Sequence, residues 1–566
     1  MHTIRLKSAA ILGAGLIVGG WECGGSRSKG PNPSGIFREA AVVCAHPLAA
    51  AVGKLVLAAG GNAVDAAVAV HFALAVVYPN AGNIGGGGFA LVRTGPHQVY
   101  CLDFRETAPQ AAHENMFLNR EGKPIPELST GTVLAAGVPG SVAGMAELHQ
   151  RFGCLPWPLL LKPAIQLARR GFPLTDRQAK ELNENAPLFQ ERNPRCCYLS
   201  HPKGGAWQAG DTLRQPELAR ALECIAERGA PCFYSGWIAD SLEAFMRSRG
   251  GLITKADLAQ YRPRWRKPLS LEVGPYRVWA PPLPSAGGLS IFQMIRLANL
   301  LGLRSDSLHS PEFLRIYCKL SQLAFEDRYR YAGDPDYVHV LEESILDSAY
   351  LLRRYKEVRV GRFLPAEFIK CQETSEHTTH FSVVDGEGWA VSLTTTINDS
   401  YGSRILVCGA GFLLNNEMDD FAVAPGAANL FGLPGSPRNR IGPRRRMVSS
   451  MSPIIVEKEG QPVLVLGTPG GTTIVSTLVL ALYHTLIQGR PLKEFQKVPR
   501  FHYQGSPHVL WVEAGGFKPE LLRILNQENI PVRERSPIGR LDGLEYRDGY
   551  WYGVPDPRGD DAAEGF

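Results

Sequence analysis

The sequence predicts a large globular protein in which helices and strands occupy different parts of the chain. Its 566 residues, 45% hydrophobic and 20% charged, are enough to bury a sizeable core. Residues from about 140 to 299 show mostly helical spacing, whereas apolar and β-branched runs typical of strands follow residue 376. Length alone would suggest three or four domains, but a large layered body of helices and sheets can absorb the whole chain, so composition and length leave the domain count open.

The first residues have the order of charged and apolar segments found in secretory signals. Arg5 and Lys7 precede an apolar run over residues 9–20, which is too short to span a bilayer. We therefore predict a signal peptide over residues 1–25. The alternative is a buried first helix, because no clean small-x-small cleavage site follows the run.

Charge and cysteine usage argue against nucleic acid and a metal site. A net charge of +6 is small for so large a surface. The eleven cysteines contain no C-x-x-C pair and no zinc-site spacing, although Cys224 and Cys232 could be oxidised in an export compartment. We interpret one basic run, which Gly442-Pro443 interrupts, as loop scaffolding; its members are Arg438, Arg440, Arg444, Arg445 and Arg446.

The first part of the chain begins with two closely packed helices and a pair of strands. Small and apolar residues from 47 to 77 predict helices that Gly60-Gly61 separates, with Asn62 capping the second. Residues 89–104 alternate like strands around a turn at Gly95-Pro96. The glycines at 85–88 lack a following Gly-Lys-Ser/Thr, so we do not expect a phosphate loop.

The middle of the chain predicts helices and little chemistry. We expect helix stops at Pro173, Pro187, Pro194 and Gly229. A short strand, a proline-rich turn and a helix follow between residues 275 and 302, and a polar, charged stretch over 326–376 ends the first part of the chain.

Residues 380–385 and 389–397 predict a β-hairpin around Gly386-Glu387-Gly388. If Asp385 faces Trp389 across the turn, counting back brings Thr396 opposite Thr378. Two hydroxyls would then lie side by side at the open end of the hairpin. Threonine is common in strands, so this placement alone does not indicate catalysis.

Thr378 becomes a nucleophile if the chain breaks before it. A free α-amine, with a pKa of about 7.7 to 8.0, can accept the hydroxyl proton at neutral pH. The hydroxyl could itself cause the break by attacking the carbonyl of His377 and forming an ester that water hydrolyses.

Several motifs make the chain resemble the γ-glutamyltransferase family, and its bacterial members in particular. They appear in the family's order from about residue 40 to the C-terminus. Three precede the hairpin: Gly-Gly-Asn-Ala-Val-Asp-Ala-Ala at 60–67, Gly-Asn-Ile-Gly-Gly-Gly-Gly-Phe at 82–89 and Asp-Phe-Arg-Glu-Thr-Ala-Pro at 103–109. Four belong to the second part: Thr-Thr-His-Phe-Ser-Val-Val-Asp at 378–385, Leu-Leu-Asn-Asn-Glu-Met-Asp-Asp-Phe at 413–421, Ser-Ser-Met-Ser-Pro at 449–453 and Pro-Gly-Gly at 469–471.

The resemblance implies an α+β fold, an αββα sandwich of the N-terminal nucleophile hydrolase type. It also implies self-cleavage between His377 and Thr378 into a large subunit (residues 26–377) and a small catalytic subunit (residues 378–566), which form a heterodimer. The implied activity is that of a glutathione hydrolase and γ-glutamyltransferase, without a cofactor, in the periplasm or secreted. Glutathione and other γ-glutamyl compounds would be donors, and amino acids or dipeptides acceptors.

The resemblance also assigns roles to particular residues. A γ-glutamyl group carries a free carboxylate and a free ammonium, so its site needs cationic and anionic sides. The implied carboxylate ligands are Arg105, Ser449 and Ser450; the implied ammonium ligands are Asp420 and Glu417, with Asn398 adding a polar contact. Thr396 would orient Thr378, and Gly470 and Gly471 would form an oxyanion hole, because glycine permits the backbone geometry that points consecutive N–H groups at one oxygen.

Each of these residues also has a plainer interpretation. Arg105 and Glu106 could form a surface ion pair, Ser449-Ser450 a loop and Asp419-Asp420 a turn. Alternative functions are a β-lactam side-chain acylase, a poly-γ-glutamate enzyme, or an unprocessed secreted binding protein. An acylase is disfavoured because a glutaryl group lacks the ammonium that Asp420 would bind.

One departure from the family pattern lies at residues 425–435, which resemble the loop that closes over the donor site in bacterial members. Phe431 stands where those members commonly carry a tyrosine. It keeps the ring but lacks a hydroxyl that could bond to a polar group such as Asn398. We therefore expect looser closure and a bias toward hydrolysis over transfer.

Overall fold

The computed structural model describes residues 35–195, 197–362, 378–424, 426–535 and 537–566. The predicted signal peptide and His377 lie outside the described residues, so both remain predictions. No helix in these ranges is both long and apolar enough to cross a membrane.

Two seven-stranded sheets dominate the described part of the chain, and neighbouring strands in both are antiparallel. The first sheet contains, in spatial order, β21 (Ala562–Gly565), β2 (Ala41–Cys44), β10 (Thr378–Val384), β11 (Ala390–Thr396), β3 (Gly87–Gly95), β4 (Gln98–Asp103) and β7 (Arg264–Arg266). The second contains β1 (Ile36–Phe37), β20 (Tyr550–Val554), β19 (Asp542–Arg547), β15 (Gln461–Gly467), β14 (Ile454–Lys458), β9 (Tyr276–Ala280) and β8 (Leu269–Val273). Shorter pairings use β5 (Phe172–Pro173) with β6 (Thr212–Leu213), β12 (Leu406–Val407) with β13 (Phe412–Leu413), and β16 (Phe501–His502), β17 (Leu510–Glu513) and β18 (Val532–Arg535).

The helices fall into two groups along the chain. Those before β7 are α1 (Pro47–Ala58), α2 (Ala63–Val77), α3 (Pro126–Thr130), α4 (Ser141–Phe152), α5 (Trp157–Arg170), α6 (Asp176–Arg192), α7 (Pro216–Arg228), α8 (Pro231–Tyr234), α9 (Trp237–Arg249) and α10 (Lys255–Gln260). Those after it are α11 (Ala286–Leu300), α12 (Pro311–Tyr331), α13 (Glu342–Ile345), α14 (Ser348–Glu357), α15 (Thr473–Leu482), α16 (Leu492–Phe495) and α17 (Pro519–Gln527).

The two sheets pack face to face, and helices cover both outer faces. Alternate residues of β2 show this, because Ala41 and Val43 face the second sheet while Val42 and Cys44 face helices α1 and α2. The second sheet is covered in the same way by α11, α12 and α15. The layers are therefore helix, sheet, sheet, helix, which confirms the predicted αββα sandwich.

The hairpin of β10 and β11 forms the centre of the first sheet with the predicted register. Asp385 N donates to Trp389 O at 3.1 Å across the turn, and Thr378 pairs with Thr396 at the other end. Thr378 lies on the same face of β10 as Val384, which packs between the sheets. Its side chain therefore belongs to the layer between the two sheets, at the edge of the sandwich.

Other predictions from the first part of the chain are also met. Helices α1 and α2 flank Gly60-Gly61, and the Asn62 side chain accepts from the N–H groups of Val64 and Asp65. Close packing explains the glycine run, since a Cβ on Gly86 would fall 2.0 Å from Thr396 O. Cys224 and Cys232 are joined as a disulfide.

Two predictions in the helical middle are wrong. Pro187 does not stop a helix but lies inside α6, because Leu182 and Phe189 on either side are buried in the core and hold the helix together. The expectation of mostly helix between residues 140 and 299 also misses strands β5, β6, β7 and β8. Three of them are only two or three residues long, which is too short for a strand pattern to show, and β7 pairs with β4, far away along the chain. The five residues of β8 alternate between apolar and polar, but the strand is recognised only through its pairing with β9 across a turn.

Candidate active site

The candidate nucleophile lies where the hairpin opens. Thr378 Oγ1 is 3.4 Å from Thr396 Oγ1 and donates to it, and only 5% of Thr378 is exposed. Thr396 Oγ1 also accepts from Asn398 N at 2.8 Å. The structure thus brings the two threonines together as the turn geometry predicts.

Asn398 is held in an unusual backbone conformation beside this pair. Its φ is +76°, a left-handed value that asparagine tolerates better than most residues. Its side chain donates to Asn416 O at 3.0 Å, which ties the end of β11 to the turn carrying the acidic residues. Strain of this kind is common at functional sites.

Gly470 and Gly471 follow β15 and directly precede α15. Both have positive φ, at +130° and +55°, so the glycine backbone freedom expected of an oxyanion hole is used here. A Cβ at Gly471 would fall 2.4 Å from Cε1 of Phe431, so the phenyl ring lies directly on this glycine. The start of a helix also favours negative charge nearby.

Arg105 is at the centre of a buried charge cluster. Its Nη1 lies 2.5 Å from Glu417 Oε2 and 3.5 Å from Glu106 Oε2, and its Nη2 lies 2.6 Å from Asp420 Oδ2. Arg105 is 1% exposed, so the alternative of a surface ion pair is wrong. The predicted cationic and anionic sides of the site contact each other directly.

Burial and mutual contact shift the pKa values in this cluster. Burial disfavours the charge of Arg105, yet Glu417, Glu106 and Asp420 together raise its pKa. Burial raises the pKa of Glu106 to about 7, against the lowering effect of Arg105. Burial likewise raises the pKa of Glu417 and Asp420. Arg105 therefore stays charged, but it offsets the burial of the carboxyl groups only in part, because the net pKa shift of all three is upward.

Ser449 forms a β-bridge with Ser285, and Ser450 follows it along the chain; both serines line the site. Ser449 Oγ accepts from Met451 N at 3.1 Å, and Ser450 Oγ accepts from Arg328 Nη1 at 2.9 Å. Since each oxygen already accepts a hydrogen bond from the protein, each hydroxyl proton can be donated to a ligand. This arrangement suits a carboxylate.

Sequence reasoning missed Arg328, which lies in α12 and lines the same site. Burial lowers its pKa to about 10, so it stays charged at neutral pH. The sequence holds a weak signal, because Arg328 follows Leu314 and Ser321 at intervals of seven residues, which places it on the same face of a helix as the apolar Leu314. Its burial is visible only in the structure. The polar stretch predicted from residue 326 therefore begins inside a buried helix.

A lid segment, residues 426–435, covers the site from the side of the acidic turn Glu417–Asp420. Asn429 Nδ2 donates to Asp420 Oδ1 at 3.0 Å, and Leu430 N donates to Asp419 Oδ2 at 2.7 Å. The acidic turn is thus both a turn and part of the site. Residue 425, the first residue of the predicted loop, lies outside the described residues.

These groups surround one small cleft. All of the predicted site residues except Gly470 line it, and Gly470 is the immediate neighbour of Gly471. Arg328, Phe431, Leu433, Met451 and Ile474 complete the lining. Within the basic run, Arg446 is buried against Asp103, which supports its interpretation as scaffolding.

The sandwich, with a threonine at the edge of its inter-sheet layer, places the chain in the N-terminal nucleophile hydrolase class. A cephalosporin acylase from Bacillus halodurans has the same architecture, with a TM-score of 0.81 at 25% identity, covering 97% of this chain and 99% of that one. A γ-glutamyltranspeptidase from Helicobacter pylori matches at 37% identity with a TM-score of 0.53, covering 61% of this chain and 97% of that one.

The family model described as gamma-glutamyltranspeptidase matches residues 49–566, and the chain belongs to that family of enzymes. A glutathione hydrolase proenzyme of Escherichia coli (strain K12) is 38% identical over 535 residues, 94% of this chain and 92% of that protein. Another from Pseudomonas aeruginosa is 43% identical over 473 residues, 82% of this chain and 83% of that protein.

Proposed function

We propose that this protein is a glutathione hydrolase and γ-glutamyltransferase that matures by cutting itself before Thr378. The observation that carries the proposal is the cleft in which Thr378 faces a buried arginine, two serine hydroxyls and two carboxylates. A γ-glutamyl group needs all of these partners at once. The family membership and the glutathione hydrolase proenzymes among its relatives support the same activity.

Maturation begins when Thr378 Oγ1 attacks the carbonyl carbon of residue 377. The peptide C–N bond breaks, an ester forms, and the nitrogen takes a proton to become the α-amine of Thr378. Water then hydrolyses the ester and leaves a carboxylate on residue 377. Thr378 Oγ1 donates a hydrogen bond to Thr396 Oγ1. Thr396 thereby orients the nucleophile for this attack.

Catalysis then uses the amine that cleavage has released. It accepts the hydroxyl proton while Thr378 Oγ1 attacks the γ-carbonyl of the donor, and the N–H groups of Gly470 and Gly471 stabilise the oxyanion. The leaving amine takes the proton as the amide bond breaks. Water or the amine of an acceptor then attacks the γ-glutamyl ester and regenerates Thr378.

Donor recognition rearranges the charge cluster. We infer that the donor α-carboxylate takes its place beside Arg105, Ser449 and Ser450, with Arg328 behind Ser450. The α-ammonium replaces part of the contact that Arg105 now makes with Asp420 and Glu417. Buried charges are thereby paired both with and without the donor, which limits the cost of emptying the site.

The proposed subunits are residues 26–377 and 378–566. The Helicobacter pylori chain supports this division, because its match covers a share of this chain close to that of the large subunit. We place the mature protein in the periplasm or outside the cell, because charged residues precede an apolar run before position 21, as in secretory signals.

The rival function is that of an acylase, which the cephalosporin acylase architecture favours. Two chromogenic donors separate the proposals, because γ-glutamyl-p-nitroanilide carries the α-ammonium and glutaryl-p-nitroanilide does not. We expect kcat/KM for the γ-glutamyl donor to be higher by about 10- to 100-fold, the effect of one charge-assisted pair. Equal or reversed preference would support the acylase.

A further inference from the structure

Gln504 is a buried residue that contacts the main chain of the lid segment. It follows β16, is 3% exposed, and donates from Nε2 to Phe431 O at 3.1 Å and to Ser506 O at 2.8 Å. Both partners are carbonyl oxygens, which only accept hydrogen bonds. The orientation of the Gln504 amide is therefore fixed, with nitrogen toward the lid.

The other end of this amide fixes the protonation of His502. Gln504 Oε1 lies 2.9 Å from His502 Nε2, and since an amide oxygen only accepts, Nε2 carries the hydrogen. Burial lowers the pKa of His502 to about 4, so the ring is neutral and Nδ1 carries none. Nδ1 then accepts from Ser476 Oγ at 2.5 Å.

This chain of hydrogen bonds ends on helix α15, which follows the proposed oxyanion glycines Gly470 and Gly471. Ser476 belongs to α15, which begins two residues after Gly471. His502 Nε2 also lies 3.4 Å from Thr472 Oγ1. The lid therefore has two contacts near the start of α15. The ring of Phe431 packs on Gly471, and the carbonyl of Phe431 accepts from Gln504.

We propose that Gln504 is a positioning residue that holds the lid closed through the main chain of residue 431. The contact uses a carbonyl, so it needs no hydroxyl on the ring and operates with phenylalanine at this position. Building on the proposed function, the closed lid limits the access of water to the γ-glutamyl ester. Gln504 thereby raises the share of the ester that is passed to an amine acceptor.

A substitution at Gln504 tests the contact, and the chain offers a matched control at Gln496. Gln504→Met keeps the length of the side chain and removes both hydrogen bonds to carbonyls. Gln496 is also buried and also donates from Nε2 to two carbonyls, those of Leu541 and Val554, away from the lid. Gln496→Met therefore causes a comparable loss without touching the lid.

Hydrogen exchange followed by mass spectrometry measures closure without reference to activity. We expect amides of residues 426–435 to exchange about fivefold faster in Gln504→Met than in wild type. Gln496→Met should leave them unchanged. Gln504→Glu, which keeps the oxygen facing His502 but replaces the donor, should also accelerate exchange and serves if the methionine variant does not fold. Unchanged exchange in the Gln504 variants, or equal acceleration in the control, overturns the proposal.

Product partitioning tests the catalytic consequence. With γ-glutamyl-p-nitroanilide and glycylglycine, Gln504→Met should form severalfold less γ-glutamyl-glycylglycine per p-nitroaniline released, whereas Gln496→Met should match wild type. Faster exchange with unchanged partitioning overturns the role in acceptor transfer. If wild type releases no p-nitroaniline, the proposed function fails, and the exchange experiment still decides whether Gln504 holds the lid.

Discussion

At the scale of single residues, the site depends on Arg105 serving two purposes. Its guanidinium contacts three carboxyl groups in the structure, and in the proposed mechanism it supplies the fork that a donor carboxylate needs. Motif resemblance predicts the second purpose but not the first. The pairs with Glu417 and Asp420 join residues more than 300 positions apart, so only the folded chain brings them together.

Substitution of Arg105 should affect both purposes. Arg105→Ala should lower kcat/KM for γ-glutamyl-p-nitroanilide by about 10- to 150-fold, equivalent to about 1.5 to 3 kcal/mol, while cleavage before Thr378 still occurs. It should also lower the thermal midpoint, because three buried carboxylates lose their cation. Arg105→Lys, the control, should recover the stability more fully than the activity. An unchanged kcat/KM in Arg105→Ala would remove this residue from the donor site.

A second residue-scale prediction concerns pH. Burial raises the pKa of Asp419 from 3.8 to about 7, although Ser129 Oγ and Leu430 N donate to it. Because its pKa is higher folded than unfolded, the stability it contributes is present below about pH 4 and is lost as pH rises through 7.

Asp419→Asn removes this titration and keeps an oxygen for Leu430 N. Between pH 4 and 7, the thermal midpoint of the variant should therefore rise relative to that of wild type, with no further relative change above about pH 8. Thermal scans across this range check the sign. A difference that stays constant with pH would show that folding does not shift the pKa of Asp419, and a change in the other direction would show that folding lowers it. Either result would contradict the prediction.

At the scale of elements, the strand register of the hairpin can be predicted from the sequence, whereas the contacts that hold the lid cannot. The turn Gly386-Glu387-Gly388 determines the register of β10 and β11, so counting from it places Thr396 beside Thr378 correctly. The anchors of the lid cannot be counted in this way. Gln504 lies 73 residues beyond Phe431, and no periodic pattern connects them.

The lid carries the prediction drawn from the departure at Phe431. Phe431→Tyr would add a hydroxyl that could bond to Asn398, and tighter closure should shift the γ-glutamyl ester from water toward glycylglycine. The measurement is the ratio of γ-glutamyl-glycylglycine to glutamate formed. The carbonyl of residue 431 is already held by Gln504, so the shift should be modest, about two- to threefold. The same ratio in both proteins would show that the ring hydroxyl does not control acceptor choice.

At the scale of the whole molecule, the proposed cut does not divide the fold into separable halves. The first sheet takes β2, β3, β4 and β7 from the large subunit and β10, β11 and β21 from the small one, and the second sheet is mixed in the same way. Strand β21 near the C-terminus pairs with β2 near the start of the described chain. The two subunits should therefore stay together after cleavage, held by a shared core.

The N-terminal sequence of the small subunit decides whether Thr378 is the nucleophile. On a denaturing gel the purified protein should give bands near 40 and 20 kDa, at roughly 110 Da per residue, while native gel filtration gives one species. The smaller band, 189 residues long, should begin Thr-Thr-His-Phe, and Thr378→Ala should leave one inactive, full-length chain. A single band for wild type, or a new terminus other than Thr378, would contradict the assignment of the nucleophile.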